Sequence, residues 1–131
     1  MFIKEELIMK ALTESEEIVM KSVWDLGGNC TLSQIVKQAE EHGKIWQLQT
    51  VATFLKHLER KGYVKPYKDG RFLHYEVLVD EQKYKNRQIR NFINFWNKGS
   101  VENFACDLFK EECLSEQEVG VIKGLLDELD D

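Results

Sequence analysis

The sequence predicts a mostly α-helical protein with one small β-hairpin set between two groups of helices. Three observations predict it. Capping boxes recur ahead of apolar residues at helical spacing. Residues 63–77 alternate with a period of two around an Asp-Gly pair. A single proline among 131 residues leaves long tracts free to be helical.

Thr13-Glu14-Ser15-Glu16 opens the first helix. Ile18, Val19, Val23, Trp24 and Leu26 form its apolar face, with Trp24 in the core, and Gly27-Gly28 ends it. Thr31-Leu32-Ser33-Gln34 opens the second helix, which carries Leu32, Ile35, Val36 and Ala39 and closes at Gly43. The third is expected from Gln47 to Lys61, with Leu48, Val51, Phe54, Leu55 and Leu58 as one inward stripe. Gly62 stands where a helix end wants a left-handed residue.

The texture then becomes strand-like. Residues 63–68 and 71–77 are rich in aromatic and β-branched side chains, and Asp69-Gly70 between them is a strong hairpin signal. Pro66 marks the first strand as an edge strand. Three helices followed by a hairpin is the order of a winged helix-turn-helix.

Beyond residue 80 the chain turns helical again. Asp80 caps a helix carrying Tyr84, Ile89, Phe92, Ile93 and Trp96, which Gly99 ends. Ser100 opens a short one with Val101, Phe104, Ala105, Leu108 and Phe109 on one side. Ser115-Glu116-Gln117-Glu118 opens the last, with Leu114 and Val119 as a hydrophobic staple and Ile122, Leu125, Leu126 and Leu129 following. The domains expected are a winged helix over 1–80 and a helical region over 81–131. So short a helical region buries large side chains poorly by itself. Ile89, Phe92, Ile93, Trp96, Phe104, Leu108, Phe109, Ile122, Leu125 and Leu126 therefore predict pairing with a second copy, with packing against the first domain as the alternative.

Composition narrows the functional classes. Apolar residues make up 43% and charged residues 31%, an ordinary globular mix. No stretch suits a membrane span, and the first residues carry glutamates where a signal peptide carries lysines, so a cytoplasmic protein is expected. Cys30, Cys106 and Cys113 form no CxxC pair, and no metal or cofactor is expected. The three histidines, His42, His57 and His74, read as surface or half-buried residues rather than ligands. No nucleophile–base pair or glycine-rich phosphate loop is spelled out, so the chain does not read as an enzyme.

The net charge of −5 hides an uneven layout. Between residues 44 and 71, Lys44, Lys56, Arg60, Lys61, Lys65, Lys68 and Arg71 face only Glu59 and Asp69. The flanking segments are acidic. A local cationic block of this kind suits phosphate neutralisation at a contact face. Around the third helix, Gln49, Thr50, Thr53, Lys56, His57 and Arg60 point outward. Glutamine and threonine near the start suit base edges in a major groove, and the later cations, Lys61 included, suit phosphates. Lys65, Lys68 and Arg71 flank the hairpin tip, and Trp46 and Lys44 precede the helix within reach of a backbone.

The same residues resemble a known family. LTESEEIVMKSVWDLG resembles the first helix of the penicillinase and methicillin-resistance repressors. The pattern W-x-x-x-T-V-x-T-x-L-x-x-L-x-x-K-G, here Trp46 to Gly62, resembles their recognition helix. KDGRFLHYEVLV resembles their wing, and NFINFWNKG with LSEQEV their pairing region, so the likeness spans residues 12–129. It implies a homodimeric repressor on an inverted-repeat operator in double-stranded DNA, controlling β-lactam resistance or a related stress response. It also implies a sensor-protease pathway that cuts an Asn-Phe bond in the helical tail. Here Asp107-Leu108 aligns with that bond, and Asn103-Phe104, four residues earlier, is the candidate cleavage site. The paired CxC motifs of the copper-responsive branch are absent. Where relatives begin the recognition helix Ser-Pro-Lys, this chain has Gln47-Leu48-Gln49. Two alternatives stand beside the repressor: a ligand- or redox-responsive regulator using Cys106 and Cys113, and a winged helix that binds proteins instead of DNA.

Overall fold

The computed structural model describes residues 10–110 and 112–130. Its described elements fall into two compact units, one ending at Tyr84 and one beginning at Lys85.

The first unit is a winged helix-turn-helix. Helix α1 covers Glu14–Asp25, strand β1 Cys30–Thr31, helix α2 Leu32–Ala39 and helix α3 Leu48–Arg60. Strands β2, Val64–Asp69, and β3, Phe72–Val77, form the hairpin. Both expected caps are present. Thr13 Oγ1 accepts from the Glu16 amide at 3.2 Å while Glu16 Oε1 accepts from the Thr13 amide at 3.0 Å. Thr31 and Gln34 repeat the exchange ahead of α2. Each box satisfies two amides that the first turn of a helix leaves without partners.

The interior takes most of its residues from the predicted stripes and adds Met20. Val19, Met20 and Val23 of α1, Ile35 of α2, and Val51, Leu55 and Leu58 of α3 are buried together with Tyr63, Val64 and Tyr75. Gly62 takes φ +84°, the left-handed turn that lets the chain leave α3 for β2. Trp24 sits at the edge of this core: its indole N–H donates to the Val79 carbonyl at 2.9 Å, and its ring lies 5.3 Å from Tyr84.

The structure departs from the sequence-based expectations at four places. The sheet has three strands in the order β1-β3-β2, because Cys30 and Thr31 pair with Tyr75 and His74. A two-residue strand has too little alternation to be seen in a sequence. Pro66 does lie on an edge strand, opposite Tyr75, where its missing N–H costs no ladder bond. The hairpin loop is Gly70-Arg71, not Asp69-Gly70, since Asp69 pairs with Phe72. Gly70 alone carries positive φ, +68°, which is the type II′ arrangement with glycine first. Helix α2 stops at Ala39, and a 3₁₀ turn, Glu40–His42, fills the space before Gly43. Leu48 is not part of the inward stripe. As the first residue of α3 it overshoots the core and is 50% exposed.

Helix α4, Glu81–Trp96, starts in the first unit and continues into the second, which adds α5, Val101–Leu108, and α6, Glu116–Leu129. Asp80 Oδ2 accepts from the Lys83 amide at 3.2 Å, Ser100 Oγ from the Asn103 amide at 3.1 Å, and Ser115 exchanges bonds with Glu118. Within the second unit Phe92 meets Phe104 edge-on at 5.9 Å, and Asn97 Nδ2 donates to Asp107 Oδ2 at 2.7 Å. Much of the apolar surface stays open: Phe95 is 76% and Trp96 67% exposed. No helix among the described residues is long and apolar enough to cross a membrane.

Candidate nucleic-acid interface

Helix α3 buries one face and presents the other. Val51, Leu55 and Leu58 are inside, so Gln49, Thr53, Lys56 and Arg60 are exposed, with Thr50 and His57 half-buried at the margins. Exposed residues thus recur at the spacing of a single helix side. Gln47 precedes the helix without a side-chain cap bond, leaving amides of the first turn open. Thr53 Oγ1 donates back to the Gln49 carbonyl at 3.0 Å, which restrains the rotamer of this exposed side chain.

Next along the chain, β2 carries Lys65 and Lys68 and the hairpin loop carries Arg71, all exposed. Tyr67 stacks on His74 at 5.5 Å, and its hydroxyl donates to Asn29 Oδ1 at 3.1 Å. Asn29 itself holds a left-handed φ of +52°. These contacts tie the hairpin to the loop before β1, so the cations ride on a braced ribbon.

Two predicted contact residues face inward instead. Trp46 is half-buried with its ring 5.1 Å from Phe54, where it covers the core beneath α3. Lys61 Nζ donates to Glu16 Oε1 at 2.5 Å and to the Ala11 carbonyl at 3.0 Å. His57 Nδ1 lies 3.4 Å from the other oxygen, Glu16 Oε2. Burial pushes the Glu16 carboxyl up, but the hydrogen bond and charge of Lys61, with the Thr13 amide and hydroxyl, outweigh it and hold the net value below the ordinary one. No sequence signal marks Tyr67 or Asn29 for this bracing. Glu16 was legible only as a cap, and its second role depends on α1 and α3 meeting.

Of the residues expected to pair two copies, Ile89, Phe92, Trp96, Phe109, Leu125 and Leu126 are exposed, and Phe104, Leu108 and Ile122 are half-buried. Ile93, by contrast, is buried within its own chain, at 4% exposed. Asn103 is exposed in the first turn of α5, and Phe104 beside it rests on Phe92. Cys106 and Cys113 are exposed free thiols, while Cys30 is buried, which raises its thiol to about 11. No cluster of metal-binding side chains occurs among the described residues.

Comparison with known proteins agrees with the sequence resemblance. The methicillin resistance regulatory protein MecI of Staphylococcus aureus (strain N315) is 26% identical over 115 residues, covering 88% of this chain and 92% of that protein. The penicillinase repressor of Bacillus licheniformis is 24% identical over 117 residues, covering 89% and 90%. Among solved structures, the monomeric form of Bacillus licheniformis BlaI in complex with the blaP half-operator matches 58% of this chain and 90% of that one, at 26% identity and a TM-score of 0.49. The family model for penicillinase repressors matches residues 12–128. With that match running over nearly its whole length, the chain belongs to the penicillinase repressor family, a family of regulators and not of enzymes.

Proposed function

We propose that the chain is a cytoplasmic transcriptional repressor that binds an inverted-repeat operator in double-stranded DNA as a homodimer. The observation that carries this is the exposed set Lys56 and Arg60 on α3 with Lys65, Lys68 and Arg71 on the ribbon that follows, within a chain of net charge −5. Gln49, Thr50 and Thr53 at the start of α3 read base edges, and the cations hold the backbone. Residues 1–80 form the DNA-binding domain and residues 81–131 the pairing region. The open apolar surface of Phe92, Trp96, Phe109, Leu125 and Leu126 supports pairing, because a stable monomer seldom leaves so much exposed. Asn103-Phe104 is the bond we assign to a sensor-protease pathway, and its exposed asparagine supports the choice. The regulated genes are those of β-lactam resistance or a related stress response.

The test is anisotropy titration of labelled duplexes over a salt series. Binding whose log affinity falls linearly with log salt, with preference for a sequence selected from a random pool, is expected. Salt-independent behaviour with no duplex binding would favour a protein-binding winged helix instead. A second reading rests on the exposed thiols Cys106 and Cys113: a redox-responsive repressor would release DNA under oxidant and recover it under reductant.

A further inference from the structure

Glu16 is the most deeply buried carboxylate that meets α3, its side chain only 5% exposed. Its two oxygens divide their work. One accepts from the Thr13 amide and from Lys61 Nζ; the other faces His57 Nδ1 at 3.4 Å. Lys61 caps the end of α3 and also donates to the Ala11 carbonyl, so its ammonium is engaged on two sides. For Lys61 to reach a phosphate it would have to leave a buried carboxylate without a counter-charge, which is strongly unfavourable. The neighbouring Arg60 is exposed and has no such partner among the described residues.

We propose that Glu16 is a positioning residue for the recognition helix: by holding Lys61 and facing His57 it withdraws Lys61 from DNA contact and leaves Arg60 and Lys56 as the phosphate-binding cations of α3. This rests on the DNA-binding function proposed above. The consequence is selective. Phosphate contact would come from the exposed side of the helix only, and the margin that meets α1 would add structure without adding nonspecific affinity.

The experiment measures the salt slope of binding to a short duplex of mixed sequence, for the full chain and three variants. Glu16→Gln keeps an oxygen for the Thr13 amide but loses the charge that holds Lys61. Its slope should steepen by about one unit, the counterion release of one further phosphate contact. Glu16→Gln/Lys61→Met removes both charges without leaving a buried one alone, so it stays informative if the single variant folds poorly. Its slope should equal that of the unmodified chain. Arg60→Ala should flatten the slope by about one unit. A merely structural ion pair would change melting temperature and leave the slopes of both Glu16 variants alone. The clamp is overturned if Glu16→Gln leaves the slope unchanged, or if the double variant flattens it as Arg60→Ala does. Failure of the unmodified chain to bind any duplex would overturn the proposed function and the clamp together. Normal binding with the wrong slopes would overturn the clamp alone.

Discussion

The Tyr84 hydroxyl donates a 2.6 Å hydrogen bond to Glu17 Oε2, joining the first turn of α4 to α1 across 67 positions of sequence. The Tyr84 ring is buried between Trp24, 5.3 Å away, and Tyr63, 6.0 Å away. Tyr84→Phe keeps the ring and removes the bond. A hydrogen bond to a charged partner contributes about 1.5–3 kcal/mol, and the half-buried Glu17 recovers part of that from water, so we expect a loss of about 1–2 kcal/mol in denaturant unfolding. Burial, then the bond and charge of Glu17, raise the Tyr84 hydroxyl well above its ordinary value. A raised value means the associated stability is complete below the ordinary tyrosine value, about 10, and drains away above it. Tyr84→Phe should therefore show a shallower alkaline limb.

The acid limb should answer to Glu16. Its folded carboxyl lies below the ordinary value of 4.5. The stability it contributes is present above that value and is lost as pH falls through the folded one. Melting curves recorded from neutral pH downward should show a steep fall below about pH 4.5, and Glu16→Gln should flatten that fall while lowering stability at neutral pH. An identical acid limb in the variant would contradict the ion pair.

Gly70 tests the hairpin. A methyl group at this position meets nothing within 4 Å, so any cost of Gly70→Ala comes from φ +68° and not from crowding. We expect about 1 kcal/mol of destabilisation by thermal melting, with the fold retained. Substituting Arg71, the second loop residue, by alanine should leave stability almost unchanged, because its φ is not positive.

Thr53 separates base reading from backbone binding. Its hydroxyl is engaged with the Gln49 carbonyl, so on the proposed function its methyl is the group that would meet a base. Thr53→Val should keep the preferred sequence, whereas Thr53→Ala should relax one base pair by roughly 1–3 kcal/mol in competition titrations. Lys68→Ala should instead weaken all sequences alike and flatten the salt slope by about one unit. Equal losses for Thr53→Ala on every duplex would assign that residue to the backbone.

The fold was legible wherever local chemistry decided it. Thr13, Thr31 and Ser115 announced three helix starts, and each forms the expected pair of bonds. The hairpin was visible in its alternation, but its loop was displaced by one residue because Asp-Gly is also what a type II′ loop with a leading aspartate looks like. Leu48 followed the period of its helix and yet lies outside, since a stripe says which side is apolar and not where the core ends. The cationic block was legible as a count. Which cations stay exposed is not, because Lys61 pairs with Glu16, 45 residues away in sequence. Ile93 was assigned to pairing with its exposed neighbours, and burial within the chain is not readable from residue type.

The most direct measurement is hydroxyl-radical footprinting on a duplex selected from a random pool, with sedimentation equilibrium on the same sample. Two protected half-sites related by a dyad, about 10 base pairs apart or a multiple of that, bound by a chain of twice the monomer mass, are the predicted result. Phe92→Glu, placed in the exposed apolar surface, should halve the mass and reduce protection to isolated half-sites. A monomeric chain that protects no sequence would contradict a paired DNA reader.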